Sequence, residues 1–284
     1  MIISKTIKQV RAEAASAREK KKTIGFVPTM GDLHAGHVSL IRAAVAKCDF
    51  VVVSIFVNPT QFGPTEDFEK YPRPIEKDLA ICENEKVDVV FAPADKEMYP
   101  TETFTWVKVE KITESLCGRS RPGHFKGVTT VCAKLFNIVT PDFAFFGQKD
   151  AQQAIVIKKM VEDLNLGLEI IICPTVREKS GLAMSSRNKY LTEKQKNDAG
   201  FIYEALKDAE KAIAKGEDDT EKIIQLIKNN IQKIPQVNIE YINIVDTETL
   251  EEMKKIFGAV LIAVAVKIGT TRLIDNILID VAKQ

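Results

Sequence analysis

Histidine is scarce in this chain of 284 residues: there are three, and two of them fall within one short segment. The five cysteines, Cys48, Cys82, Cys117, Cys132 and Cys173, are scattered and odd in number, and none stands in a CxxC pair. That argues against a disulfide framework and for free thiols in a reducing compartment, the cytoplasm. Long apolar runs are missing too. The longest, Ala259–Val266, falls far short of the roughly 20 residues a membrane-spanning helix needs. The N-terminal stretch is polar and helix-prone, without the apolar centre of a signal sequence. No sign of charge dominates, since 40 Lys and Arg against 39 Asp and Glu leave a net charge of +1. The chain therefore has no bulk field for nucleic acid or an anionic membrane, and an anionic ligand must be held by local clusters of positive groups.

What is present is a globular composition, 45% hydrophobic and 28% charged, with ample apolar surface for a core. Strand and helix periods alternate through the first two-thirds. Thr23–Thr29, Phe50–Val57, Val87–Ala92, Phe143–Phe146 and Leu168–Cys173 read as strands, and Thr103–Val109 alternates like one. Ala35–Lys47, Ile75–Glu85, Val128–Val139 and Asp150–Leu164 read as helices. Phe50–Val57 is a continuous run rich in β-branched residues, as suits a strand covered on both faces. This rhythm predicts an α/β fold with a doubly wound parallel sheet. After Pro174 come two lysine-rich amphipathic helices, Thr192–Lys215 and Thr220–Lys233. Three strand-like stretches follow, Val237–Val245, Ala259–Val266 and Arg272–Ile279. We expect residues 1–175 to form a Rossmann-like domain and 176–284 a smaller α+β domain with an antiparallel sheet, serving as a lid.

The sharpest motif is Pro28-Thr29-Met30-Gly31-Asp32-Leu33-His34-Ala35-Gly36-His37. It joins the first predicted strand to the following helix, where open α/β sheets bind ligands. The glycines allow a tight turn and close approach. The helix start offers backbone N–H groups and a positive dipole end, an anion site. Two imidazoles beside it suit a phosphate whose charge grows during transfer. The other readings are two structural histidines or a zinc site, and zinc lacks an evident third ligand. A second motif, Met184-Ser185-Ser186-Arg187-Asn188, brings two hydroxyls and a guanidinium that suit phosphate oxygens. Read alone it is equally a helix cap, with Thr192 capping the helix that follows.

An HxGH segment followed by a Ser/Arg loop resembles the paired signatures of the nucleotidyltransferase superfamily that includes class I aminoacyl-tRNA synthetases. Further segments narrow the likeness: Asn58-Pro59-Thr60-Gln61-Phe62, Arg121-Pro122-Gly123-His124-Phe125, Phe146-Gly147-Gln148-Lys149-Asp150 with Gln152-Gln153, and Gly269 through Asn276. In that order, they resemble the pantothenate synthetase family from about Lys22 to the end of the chain. Asp32 stands where that family often has a small residue, and no consequence is expected from it.

The resemblance implies ATP-dependent ligation of pantoate to β-alanine through a pantoyl-adenylate, with magnesium accompanying ATP. It implies that Met30, His34, His37, Gly147, Lys149, Asp150, Val176, Met184, Ser185, Ser186 and Arg187 bind ATP. Of these, His34, His37, Lys149 and Arg187 would stabilise the reacting phosphate. Asn58, Gln61 and Gln153 would contact pantoate and β-alanine, and Asp78 would aid the magnesium–phosphate site. A homodimer is implied as well. The Arg121–Phe125 segment is expected to be a surface loop or a cover on the phosphate side, and Trp106 a packing residue. The competing readings are an enzyme adenylylating a nucleotide, a tRNA-charging enzyme and an ATP-binding module without turnover. The first two want more basic surface than this chain has.

Overall fold

The computed structural model describes residues 1–64 and 66–281, so the last residues of the second expected domain lie outside the description. The chain forms two compact units. The first comprises Met1–Thr113, Cys117–Gly147 and Gln153–Pro174; the second comprises Glu114–Leu116, Gln148–Gln152 and Thr175–Gln284.

In chain order, the elements up to Cys173 are β1 (Ile2–Ser4), α1 (Ile7–Glu19), β2 (Ile24–Thr29), α2 (Ala35–Lys47), β3 (Phe50–Ile55), α3 (Ile75–Asn84) and β4 (Val89–Phe91). Then come α4 (Asp95–Met98), α5 (Leu116–Ser120), α6 (His124–Val139), β5 (Phe143–Gly147), α7 (Ala151–Asp163) and β6 (Glu169–Cys173). The strands form one sheet in the order β1-β4-β3-β2-β5-β6, and every pairing is parallel. This is the expected α/β sheet. Each strand sends alternate side chains to opposite faces. Phe26, Val52, Val89, Phe91, Ala144 and Phe146 join one core with residues of α1, α6 and α7. Val27, Val51, Val53, Val90 and Phe145 join another with Leu40, Ile41 and Ala44 of α2 and Cys82 of α3. Burial on both faces explains the unbroken apolar runs, and each fully buried side chain contributes about 1.5–3 kcal/mol. From β2 the chain moves through β3 to β4 on one side and later adds β5 and β6 on the other. The turn between β2 and α2 therefore leaves the sheet at its switch point.

The second unit carries α8 (Glu193–Ala199), α9 (Phe201–Ala214) and α10 (Thr220–Ile231), then β7 (Val237–Asp246), β8 (Gly258–Ile268) and β9 (Thr271–Val281). The strands form an antiparallel sheet in the order β7-β8-β9. Ile202, Leu206, Ile223 and Ile227 of the helices pack with Val260, Ile262, Val264 and Val266 of β8. Among the described residues, no helix is long and apolar enough to cross a membrane.

Four local readings need correction. The N-terminal stretch holds a short edge strand, β1, before its helix, and α1 starts from a Thr6/Gln9 capping box. Thr103–Val109 is not a strand: Thr130 Oγ1 accepts from the Val107 N–H at 3.1 Å and Thr129 Oγ1 donates to the Val107 carbonyl at 2.6 Å, so threonines of α6 replace a neighbouring strand. The single helix expected over Thr192–Lys215 is divided at Gly200, where a Cβ would lie 2.1 Å from the Ser180 carbonyl oxygen. Trp106 is 37% exposed, with the Lys126 ammonium 4.1 Å from its ring centroid, so it is a surface cation–π partner and not core.

Candidate functional site

The turn after β2 is built on two consecutive left-handed residues, Gly31 (φ 84°) and Asp32 (φ 51°). A Cβ at Gly31 would also lie 2.9 Å from Asp78 Oδ2, so that position needs glycine for both torsion and space. The Asp32 backbone occupies a region that aspartate tolerates better than most residues, and its N–H is one of the turn's anchors.

The anchor is Asp78, on the first turn of α3 and fully buried. Its Oδ2 accepts from the Asp32 N–H and its Oδ1 from the Leu33 N–H, both at 2.8 Å. Burial pushes this carboxyl above its ordinary range, while the two backbone donors pull the other way. With both oxygens turned to backbone amides and none exposed, Asp78 does not fit the metal-assisting place the resemblance gave it. Among the described residues no group of three or more His, Cys, Asp or Glu is arranged to hold a metal ion.

His34 is the N-cap of α2, so the two histidines meet across the cap and not along a helix face. His34 Nδ1 accepts from the Gly36 N–H at 3.1 Å, and His37 Nδ1 accepts from the His34 N–H at 3.3 Å. The rings stand 4.1 Å apart between centroids. A backbone N–H can only donate, so each Nδ1 must present a lone pair and each ring proton must sit on Nε2. The backbone thereby fixes both rings as Nε2–H donors at a helix N-terminus.

Asn58 follows β3 and is 1% exposed. Its amide donates to Gln61 Oε1 (3.1 Å) and to the Gly127 carbonyl (3.2 Å), and its Oδ1 accepts from Tyr99 Oη (2.8 Å) and Thr60 Oγ1 (3.0 Å). All four of its hydrogen-bonding positions are occupied, which makes it a hub. Gln61 is different: its Oε1 is oriented by Asn58, while among the described residues its Nε2 reaches only the Met30 sulfur, a weak acceptor, at 3.0 Å.

Gly127 of α6 explains how this segment is seated. A Cβ there would lie 2.3 Å from the Thr60 carbonyl oxygen, so the helix backbone lies directly against Thr60 and Gln61. Arg121–Phe125 is a surface turn only in part: Pro122 and Gly123 are exposed and Gly123 caps α6, whereas His124 and Phe125 are buried in its first turn. His124 Nδ1 donates to the Gln61 carbonyl at 2.8 Å, and its Nε2 accepts from Arg121 Nη1 at 3.1 Å. Arg121 in turn makes a two-pronged pair with Glu66 at 2.6 and 2.5 Å. Gln153 is half-buried near the start of α7, and Gly147 closes β5 with open space where a Cβ would be. Tyr99, Gly127 and the supporting role of His124 were not found from sequence; only an invisible long-range contact defines each.

The second unit holds the other predicted residues. Lys149 and Asp150 lie in a 3-10 turn, with their charged ends 3.8 Å apart. Val176 and Met184 face each other across a hairpin, Met184 N–H donating to the Val176 carbonyl at 2.9 Å. Gly181, at φ 93°, sits near its tip. Ser185 caps the 3-10 turn Ser186–Tyr190, its Oγ accepting from the Arg187 N–H at 3.2 Å. The cap reading of this motif therefore holds. Asn188, behind it, donates to Glu178 and to the Ala183 carbonyl. Ser185, Ser186 and Arg187 are all half-buried. Thr192 caps α8 with Gln195, as expected.

Residues 2–278 match the family model described as pantoate–β-alanine ligase. A curated pantothenate synthetase of Acetivibrio thermocellus is 54% identical over 99% of this chain and 100% of its own length. One from Thermotoga neapolitana is 55% identical over 97% and 99%. Among solved structures, pantothenate synthetase of Thermus thermophilus superposes with a TM-score of 0.92 at 40% identity, covering 98% of this chain and 99% of that one. The Francisella tularensis pantoate–β-alanine ligase, described as complexed with beta-gamma ATP and β-alanine, gives 0.79 at 39% identity, over 98% and 97%. By its sequence along nearly the whole length and by its fold, the chain belongs to the pantoate–β-alanine ligase family.

Proposed function

We propose that the chain joins pantoate to β-alanine at the expense of ATP, through a pantoyl-adenylate. The pantoate carboxylate attacks the α-phosphorus, the bond to the bridging oxygen breaks and pyrophosphate leaves. The neutral amine of β-alanine then attacks the acyl carbon, AMP departs and the amine sheds a proton. No side chain becomes covalently attached. Positioning and charge stabilisation carry such a reaction.

The observation that supports this reading best is the pair of histidines held as Nε2–H donors at the start of α2. Donors fixed before the substrate arrives need no reorganisation when charge builds on phosphate oxygens. Lys149 and Arg187 add positive charge to that phosphate, and Ser185 and Ser186 add hydroxyl donors. Met30, Gly147, Asp150, Val176 and Met184 line the rest of the nucleotide, with Asp150 on the ribose hydroxyls. Gln61, oriented by Asn58, turns its amide from the Met30 sulfur to a stronger acceptor on pantoate, with Gln153 as a second contact. Magnesium would accompany ATP as a counter-charge to its phosphates, and Asp78, committed to the turn, would act on it only by holding that turn in place. We further propose a homodimer working in the cytoplasm, a compartment that suits the five free thiols.

The test is pantoate-driven exchange of pyrophosphate into ATP, with mass detection of pantoyl-adenylate when β-alanine is omitted. We expect both signals, and a loss of about 10²–10³ in exchange turnover for His37→Ala with the fold intact. Absence of exchange and adduct in the native chain, or near-native turnover in His37→Ala, would overturn the assignment.

A further inference from the structure

The segment Gly269 through Asn276, near the C-terminus, has no part in the proposed reaction. It forms the β8–β9 turn and the first half of β9. Asn276 is 3% exposed, and its Nδ2 donates to the carbonyls of Gln148 (3.0 Å) and Lys149 (2.9 Å). Two carbonyl acceptors can be met only by an amide nitrogen, so the side-chain orientation is forced. Its Oδ1 is then left buried without a hydrogen-bond partner. The neighbouring Asp275 makes a two-pronged pair with Arg177 (2.6 and 2.9 Å), whose guanidinium stacks 3.5 Å from the Tyr203 ring centroid. Arg177 lies in the hairpin that leads into Ser185–Arg187. Adjacent residues of a strand point to opposite faces. One strand thus grips two separated segments that carry charged groups.

We propose that Asn276 is a positioning residue for Lys149: by fixing the carbonyls of residues 148 and 149 it sets the direction from which the lysine leaves the backbone. This rests on the reading that Lys149 meets the phosphates of ATP. A main-chain shift of about 1 Å at such a residue is enough to lower turnover up to a hundredfold. Asn276 touches no reacting atom itself.

The experiment is a double-mutant cycle on the full chain, read by pantoate-dependent pyrophosphate exchange with MgATP and by thermal melting. Asn276→Ala is expected to lower kcat about tenfold to a hundredfold, with KM for pantoate unchanged. In a Lys149→Ala background the same change is expected to cost less than about twofold, because the group it positions is gone. Ile277→Val, a small core change one residue along, shifts melting without the kcat loss. Should Asn276→Ala not give a cooperative melt, Asn276→Ser, which keeps one donor, goes through the same cycle. Equal losses in both backgrounds, an Ile277→Val loss as large as that of Asn276→Ala, or no loss at all would overturn the proposal. If Lys149→Ala itself leaves exchange intact, the reading of Lys149 falls and this inference with it. A silent Asn276→Ala beside a crippled Lys149→Ala sinks the inference alone.

Discussion

The two units hold their functional groups by different means. In the first, buried polar side chains act as supports: Asp78 clamps the turn that ends in His34, and Asn58 orients Gln61. In the second, half-buried Lys149 and Arg187 project from segments whose main chain is tied down, by Asn276 in one case and by the Arg177–Asp275 pair and Asn188 in the other. A buried support is part of the folding energy as well as of the site. Damage to the first unit's supports should therefore appear in stability and activity together. Asn276, Asp275 and Asn188 are buried as well, so damage to them should also register in stability, whereas loss of the half-buried Lys149 side chain itself should appear chiefly in turnover.

The sharpest way to break this contrast is Asp78→Ala. It leaves one buried and one part-buried backbone N–H, those of Leu33 and Asp32, without acceptors, at about 1–3 kcal/mol each. Urea unfolding should show a loss of about 2–6 kcal/mol, and exchange should fall with it; a loss below about 1 kcal/mol would mean the clamp is dispensable. Next, Asn58→Ala and Gln61→Ala separate a hub from the group it orients. Asn58→Ala should cost about 1–3 kcal/mol, since it removes four hydrogen bonds at a buried hub and takes the donor from Gln61 Oε1. Gln61→Ala should cost less than that and raise KM for pantoate instead. The reverse order would assign the two residues the wrong way round.

The smallest effect concerns Glu66 beside Arg121. Burial alone would raise this carboxyl, but the Arg121 hydrogen bond and charge outweigh it and hold it below the ordinary glutamate range. A carboxyl lowered in the folded state adds stability that is present above the unfolded value, about pH 4.3, and lost as pH falls through the folded one. Wild type should exceed Glu66→Gln by about 1 kcal/mol at pH 7, and the gap should close as pH falls from the unfolded value through the lower folded one. A gap that is flat down to pH 2 would remove Glu66 from the support of His124.

Much of this was legible in the sequence because it is local. The β2–α2 junction, the Thr192 cap and the two-sided strand β3 declare themselves within a few residues. The α6 start was missed because Gly123-His124 reads as loop chemistry, whereas Gly123 in its left-handed conformation is the cap. Gly127 looks like a weak point in a helix until Thr60 is seen against it. Asp78 stands 45 residues from Leu33, and Asn276 stands 127 from Lys149. No periodicity encodes such pairings; they exist only once the sheet order and the β9 register have brought distant segments together. Thr103–Val109 failed for the converse reason: its alternation is real, but side-chain hydroxyls met its backbone before a strand did.

The histidine cap also decides what sort of guest the α2 entrance welcomes. For either imidazole to lend an electron pair from its far nitrogen, the proton would have to migrate to the near one and evict a main-chain N–H. Zinc would thus have to dismantle the doorway before using it, whereas an oxyanion finds its hydrogens already hung in place. The same two local contacts that begin a helix therefore make the segment a reader of anions.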